Sequence, residues 1–226
     1  MRVLGFIILL LSCFSGSAKD LKGAWTATQE DIKYVMIIAD GFLTVAEFKE
    51  NEFLHTWGGL YDWEENTLTL NLEYHTQEAG KVGSFQSYSW SIEDNELEFN
   101  QKKWTRIDDG SPGALPGAWI IVGREVNGEM TNRQPGSRKT MKVLSGTRFQ
   151  WIAYDIDSRS FMGSGGGTYT TIDGKYTESI DFFSRDNNRV GAELSFDFEL
   201  KNKQWQHKGL NSKGKPIHEI WTHRKN

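Results

Sequence analysis

Two residues with acid–base side chains, Glu178 and His207, lie in stretches of sequence that carry apolar residues at alternate positions. Glu178 lies between Tyr176 and Ile180, and His207 follows Trp205 by two positions. A carboxylate and an imidazole directed into one interior could orient a small ligand, or act as an acid and a base with shifted pKa values. They could also form a polar network that only holds strands together. Their role depends on the elements that position them.

Alternating apolar and polar residues predict β-strands along most of the chain. Leu68, Leu70 and Leu72 alternate with polar residues, and tight-turn pairs such as Asp40-Gly41 and Asp173-Gly174 separate such runs. No convincing amphipathic helix occurs. Each half of the chain is expected to hold about eight short strands. The predicted fold is all-β, with two tandem antiparallel up-and-down β-barrels.

The two halves are copies of one unit. Gly-Ala-Trp occurs at 23–25 and 117–119, and the segments close on Trp-Thr-Arg at 104–106 and Trp-Thr-His-Arg at 221–224. Between these ends, 58–61 and 82–83 align with 166–169 and 190–191 at one shared offset of 108. A shared offset is the mark of an internal repeat. We therefore assign a first barrel to 19–108, a linker to 109–116 and a second barrel to 117–226.

The repeat indicates which faces point inward. Leu70, on the buried face of its strand, aligns with Glu178, and Phe99 aligns with His207. The second barrel thus places ionisable side chains where the first has apolar ones. Since an unpaired buried carboxylate costs several kcal/mol, roughly, Glu178 needs a partner. The candidates are His207, Arg148 and Tyr154.

Aromatic side chains are expected to line the same interior. With the polar residues they form the predicted ligand-binding set: Arg148, Trp151, Tyr154, Tyr169, Tyr176, Glu178, Trp205 and His207. The leading interpretation is a protein that binds a small, partly apolar molecule in its second barrel. One alternative is an isomerase or hydrolase that uses Glu178 or His207 as the base. Another is a structural or assembly module of the cell envelope with sealed cores.

The ends of each unit carry a family resemblance. A Gly-x-Trp on the first strand, with a basic residue two or three positions after a late Trp, resembles the lipocalin and fatty-acid-binding superfamily. The second unit, with Gly-Gly-Gly-Thr-Tyr-Thr at 165–170 and Trp-Gln-His at 205–207, is similar to uncharacterised lipocalin-like domains of secreted bacterial proteins. The resemblance implies that the first-strand Trp packs at the barrel floor against the late basic residue. That pairs Trp25 with Arg106, and Trp119 with Arg224.

Composition argues against several classes of function. The net charge is -4 and the basic residues are scattered, so no nucleic-acid surface is expected. The histidines show no spacing typical of a metal site, and no motif indicates a cofactor. We therefore expect neither a metal nor a cofactor.

The N-terminus is typical of an export signal at 1–18. Arg2 precedes an apolar run, and small residues allow cleavage after Ala18. This predicts a secreted or periplasmic protein whose mature form lacks cysteine. The alternative is a lipoprotein anchored at Cys13, which is the only cysteine. The apolar run is too short to span a bilayer.

The first-strand tryptophans provide a test of the two-core organisation. Replacing Trp119 with Ala should destabilise the second unit by about 3–5 kcal/mol, as for other large core aromatics. Denaturant unfolding monitored by probes placed in each unit would measure this. A loss spread equally over both units would count against independent cores.

Overall fold

The computed structural model describes residues 20–211 and 214–225, and nearly all of them belong to antiparallel strands. The strands of the first half are β1 (Gly23–Gln29), β2 (Ile32–Ala39), β3 (Phe42–Lys49), β4 (Glu52–Glu64), β5 (Thr67–His75), β6 (Phe85–Glu93), β7 (Glu96–Phe99) and β8 (Lys102–Asp108). Those of the second half are β9 (Gly117–Val126), β10 (Glu129–Asn132), β11 (Arg138–Leu144), β12 (Arg148–Asp155), β13 (Ser160–Ile172), β14 (Lys175–Phe183), β15 (Glu193–Lys201), β16 (Gln204–Leu210) and β17 (Pro216–His223). Short 3-10 turns occupy Ala79–Lys81 and Asn187–Arg189.

Each half closes into its own barrel of sequence neighbours. In the first, β1 pairs with both β2 and β8, so that eight strands form a ring. In the second, β9 pairs with β11 and β17, while the short β10 pairs only with the outer part of β9. The predicted pair of antiparallel up-and-down barrels is confirmed. In the described part of the chain, no helix combines the length and apolar character needed to cross a membrane.

The interior of the first barrel is filled by apolar side chains. Trp25, Met36, Leu70, Trp90 and Phe99 belong to one buried cluster. A concave surface of about 990 Å³ on this barrel lies on the outer side of β4 and β5, among solvent-facing side chains. The first barrel therefore has a packed core.

The floors of the two barrels differ in the side chain that covers the tryptophan. The Arg106 guanidinium lies 4.0 Å from the centre of the Trp25 ring, which is the contact that the resemblance implies. In the second barrel the ring of His223, not Arg224, lies 3.8 Å from that of Trp119. This corrects the predicted pairing of Trp119 with Arg224. Arg106 and His223 both pair with the first-strand Trp across the sheet, whereas Arg224 is one residue further on.

The outer faces of the two barrels pack against each other. Ile37, Phe42 and Tyr74 of the first barrel form one buried cluster with residues of the second that include Val143 and Ile152. The continuous apolar run of β2 supplies one side of this contact, because alternate residues of such a run face the barrel interior and the other barrel, and Met141 and Val143 of β11 lie on the other side. Each barrel thus has its own interior cluster, and the two barrels share a third core between them.

A buried glutamine joins the barrels at the centre of this contact. The Gln150 Oε1 atom accepts from Thr44 Oγ1 at 2.7 Å. Its Nε2 atom donates to Thr56 Oγ1 at 2.7 Å and to Ser164 Oγ at 3.0 Å. Since both hydrogen-bonding ends of the amide are occupied, Gln150 sets the register between the barrels at little desolvation cost.

A buried ion pair fixes the edge of the same contact. Arg224 binds Glu73 through two hydrogen bonds, NH1 to Oε2 at 2.7 Å and NH2 to Oε1 at 2.5 Å. The Tyr154 hydroxyl donates to the same carboxylate at 2.5 Å. Two-point contacts between guanidinium and carboxylate are among the stronger polar contacts in proteins. Arg224 therefore belongs to the joint between the barrels and not to a barrel floor.

The predicted signal segment and Cys13 lie outside the described residues. Residues 109–116, predicted as the linker, lie between the end of β8 and the start of β9. At its first end, Asp108 accepts hydrogen bonds from Ser145, Gly146 and Thr147, which form the turn between β11 and β12. The chain between the barrels is thus tied to the second barrel.

The joint gives a stability prediction. Arg224→Met should destabilise the protein by about 3–5 kcal/mol, because it leaves the Glu73 carboxylate buried without its cation. Denaturant unfolding would measure the change in free energy. Lys175→Met is the matched control, since it breaks the exposed pair with Asp197 and should cost less than about 1 kcal/mol. Equal losses in the two variants would contradict the role given to Arg224.

Candidate functional site

One end of the second barrel opens into a cavity of about 500 Å³. It lies at the end where the turn between β14 and β15 and the hairpin between β16 and β17 meet. Its apolar wall includes Trp151, Ile180, Phe183, Leu194 and Ile217. The deeper part, which we call the floor, carries Lys142, Glu178, His207 and Glu219. The cavity thus joins an apolar wall to a polar floor, as small-molecule sites commonly do.

One glycine in the cavity lining replaces a large aromatic residue of the first barrel. Gly165 on β13 lines the cavity, and the repeat aligns it with Trp57 on β4. In the first barrel, the Trp57 ring packs against Tyr88 with 6.0 Å between ring centres and belongs to the core. The second barrel therefore has no side chain at a position where its sister has an indole.

The ion pair of Lys142 and Glu178 dominates the floor. Lys142 Nζ donates to Glu178 Oε1 at 2.6 Å, and both side chains are less than a tenth exposed. Lys142 lies on β11 opposite Trp119, and Glu178 lies on β14 opposite Tyr169. Because buried charges are tolerated only when paired, each of these residues depends on the other.

Aromatic rings enclose the Lys142 ammonium. Its Nζ atom lies 4.7 Å from the ring centre of Tyr176, 5.3 Å from Trp205, 5.5 Å from Phe196 and 5.8 Å from Trp221. A cation close to ring faces is stabilised electrostatically, and more strongly when it is removed from water. The cage and Glu178 together hold the Lys142 ammonium inside the barrel.

A second polar pair, His207 and Glu219, lies beside the first. His207 Nδ1 is 3.4 Å from Glu219 Oε2, which is a polar contact and not a well-formed hydrogen bond. Burial, with a smaller contribution from the charge of Lys142, lowers the pKa of His207 to about 4. Burial would raise the pKa of Glu219, but contact with His207 and the nearby Lys142 and Arg124 hold it below its ordinary value. At neutral pH the floor thus has a neutral imidazole next to a carboxylate.

The floor also has buried polar atoms without protein partners. Within the described ranges, both ring nitrogens of His207, the Tyr176 hydroxyl and the indole nitrogens of Trp205 and Trp221 make no hydrogen bond. Most buried polar groups in native proteins are hydrogen-bonded, so such a cluster calls for a reason. Of these residues His207 and Trp221 line the cavity, so their ring nitrogens are the candidates for hydrogen bonds to a polar group there.

The first barrel has different residues at the positions that match the floor of the second. Strand pairing with the first-strand Trp matches Lys142 to Met36, and the repeat matches Glu178 to Leu70. His207 and Glu219 face each other across the sheet as Phe99 and Lys102 do. Met36, Leu70 and Phe99 are all core residues of the first barrel. Three apolar core positions of one barrel are therefore ionisable in the other.

Only part of the predicted site is brought together. Trp151, Glu178 and His207 line the cavity, and Tyr176 and Trp205 form the cage below it. The other three residues lie elsewhere: Arg148 pairs with Asp181 at 2.7 Å, Tyr154 binds Glu73 in the joint, and Tyr169 donates to the Ser145 carbonyl at 2.6 Å.

Strand alternation explains two of these corrections. Phe149 and Trp151 face the interior of the second barrel, so Arg148 and Tyr154 face outward. Tyr169 lies on the inner face, but its hydroxyl is used at the closed end, and burial raises its pKa. Glu178 therefore pairs with none of the three partners expected from the sequence.

Lys142 and Glu219 are the functional candidates that the sequence reasoning missed. Lys142 lies in the run Met141-Lys142-Val143, where a lone cation between apolar residues is the available signal. The second unit has more residues than the first between its first strand and this position. The match of Lys142 to Met36 is therefore not visible at the shared offset. Glu219 lies in a strand with weak alternation, and nothing in its neighbourhood indicates an inward direction.

Comparison with known protein families finds no match for this chain. The comparison with curated proteins likewise finds no similar sequence. The site is therefore interpreted from its own geometry.

The ion pair leads to a stability prediction, and the first barrel provides the residues for its control. Glu178→Leu alone should destabilise the protein by about 3–5 kcal/mol, because Lys142 then keeps a buried charge without a counterion. Adding Lys142→Met should recover most of this loss, since the first barrel packs Met36 with Leu70. Urea unfolding of the single and double variants would measure both effects. A double variant less stable than the single one would contradict the pairing.

The pairing of Lys142 with Glu178 changes the stability expected for a second double variant. From the sequence alone, Glu178→Leu with His207→Phe should preserve stability, as the sister barrel has these residues. Because Lys142 is the partner of Glu178, that double variant also leaves an unpaired ammonium. Lys142→Met must accompany the other two changes.

Proposed function

We propose that the second barrel binds a small, partly apolar molecule in its cavity and that the first barrel is a scaffold. The observation that carries this proposal is the exchange of Met36, Leu70 and Phe99 for Lys142, Glu178 and His207 at matching interior positions. The ligand would be bound and released unchanged.

The free energy of a buried ion pair supports a functional role for the ionisable residues of the second barrel. Replacing a buried ion pair by well-packed apolar residues is often neutral or stabilising. The first barrel is built with such residues at the same positions. The charges of the second barrel are thus not needed to form this fold, and their retention next to a cavity supports a role in binding.

The lining indicates how a ligand would be held. Its apolar part would lie along Trp151, Ile180 and Leu194, where burial supplies most of the affinity. A polar group at its inner end would hydrogen-bond to His207 and Lys142, which fix its orientation. Glu178 would keep the Lys142 ammonium in place.

The setting of the protein is part of the proposal. The export signal at 1–18 supports a secreted or periplasmic location, with a lipid anchor at Cys13 as the alternative. The lipocalin-like motifs at the ends of each unit support a ligand carrier of that general kind. On this proposal, the ligand is met outside the cytoplasm.

Ligand retention tests the proposal. Native mass spectrometry of protein purified from its own cell envelope should detect a bound small molecule, and N-phenylnaphthylamine should bind the emptied protein with increased fluorescence. The variant Lys142→Met, Glu178→Leu, His207→Phe should stay folded but lose the retained molecule, because three of the four floor residues then match those of the first barrel.

The control removes an ion pair from the outside of the same barrel. Lys175→Met with Asp197→Leu eliminates a lysine–carboxylate pair on β14 and β15 that is more than half exposed. Retention should be unchanged in this control. Equal retention by the triple variant and the native protein would show that the floor does not bind the ligand.

A further inference from the structure

The entrance of the second-barrel cavity is positively charged, although the whole chain has a net charge of -4. Arg124, Arg185 and Arg189 line it above the floor. Arg124 and Arg185 are exposed and Arg189 is half-buried, whereas Lys142, Glu178 and His207 are buried. We call the three arginines the mouth. Charge of one sign around a cleft raises the local concentration of oppositely charged ligands.

The floor below the mouth does not favour an anion. Lys142 is neutralised by Glu178 at 2.6 Å, and its ammonium is already enclosed by aromatic rings. Glu219 adds a carboxylate at the floor, next to His207. An anionic group placed there would meet like charge without a free cation. The two ends of the cavity therefore differ in the charge that they favour.

Arg185 is the mouth residue best placed to meet a ligand. Its guanidinium lies 5.5 Å from the Trp151 ring centre, and Nε donates to the Met162 carbonyl at 2.9 Å. Trp151 in turn stacks on Phe183 with 6.2 Å between ring centres. Within the described part of the chain, no carboxylate forms an ion pair with Arg185. Its charge is thus held at the top of the apolar wall.

The other two arginines already face carboxylates. Arg189 Nε lies 4.0 Å from Asp186 Oδ2, and Arg124 is opposite Glu219 across β9 and β17. They contribute to the positive potential of the mouth less directly than Arg185 does. Arg185 is therefore expected to make the main contact.

The first barrel lacks this mouth. Glu30 follows Trp25 by five positions, as Arg124 follows Trp119. The shared offset matches Gln77 to Arg185, and Lys81 to Arg189. An acid, an amide and one lysine thus stand where the second barrel has three arginines. The positive mouth accompanies the cavity and the polar floor in the same barrel.

We infer that the ligand carries an anionic group, such as a carboxylate or sulfonate, which Arg185 binds at the mouth. Its apolar body lies along Trp151 and Phe183, and its inner end reaches His207. This inference rests on the proposed binding function and names the chemical class of the ligand, an amphipathic organic acid that enters with its charged end last.

Two fluorescent probes with one ring system test the inference. Anilinonaphthalene sulfonate and N-phenylnaphthylamine share their aromatic rings, and only the first carries an anion. The native protein should bind the sulfonate more tightly. Arg185→Gln with Arg189→Gln should weaken sulfonate binding roughly tenfold, as expected for two partly exposed charge contacts, and leave the neutral probe unchanged.

Charge-matched and cavity-blocked variants complete the experiment. Lys201→Gln with Lys203→Gln removes two exposed cations, one at the end of β15 and one in the turn that follows it, at the opposite end of the barrel, and should affect neither probe. Leu194→Trp should weaken both probes, because it fills the cavity. Circular dichroism would verify that each variant is folded.

The possible outcomes distinguish the inference of an anionic ligand from the proposed binding function on which it rests. Equal affinity of the native protein for the two probes, or equal losses in the arginine and lysine variants, would overturn the anionic ligand while leaving the binding site intact. Failure of both probes to bind, or binding that Leu194→Trp does not change, would overturn the proposed function together with the inference.

Discussion

A step of one residue along a strand moves a side chain from the inside of a barrel to its outside, and both the cavity and the joint depend on this alternation. Lys142 faces inward and lies on the cavity floor, whereas Val143, the next residue, packs against the other barrel. Trp151 lines the cavity, and Gln150 before it binds Thr44 across the joint. Neighbouring residues of one strand can therefore contribute to the cavity and to the joint between the barrels.

The buried polar groups of this protein fall into two kinds. Glu73 binds Arg224 and Tyr154 of the opposite barrel, and Gln150 binds Thr44 and Thr56 of the opposite barrel, so these two residues specify how the barrels dock. Lys142 and Glu178 satisfy each other beside an open space, and His207 has no hydrogen-bond partner among the described residues. The first kind contributes specificity to the assembly of the chain. The second leaves hydrogen-bonding capacity directed at a cavity, which is what a binding site requires.

Much of the fold could be predicted because an antiparallel strand is a local pattern and a repeat shows its own alignment. Glu178 and His207 were placed inward by comparison with Leu70 and Phe99, and the structure has them there. Lys142 could not be predicted as the partner of Glu178, since the two residues are 36 positions apart and strand register decides the contact. Glu219 lies opposite His207 on the next strand, but the weak alternation of β17 gives no sign that it faces inward. The joint was missed for another reason. The continuous apolar run of β2 indicates burial on both faces, but a sequence does not say what covers the second face.

The joint also sets an order of events during synthesis. A growing chain completes β1 to β8 before any residue of β9 to β17 is made, and domains generally fold as units from the N-terminus. The first barrel therefore forms with Ile37 and Phe42 exposed to solvent and with Glu73 lacking its cation. That face is covered only as the second barrel folds, and Arg224 comes after its last strand. During this interval the nascent protein exposes an apolar surface through which chains could aggregate. The risk of aggregation therefore depends on how quickly the second half is completed.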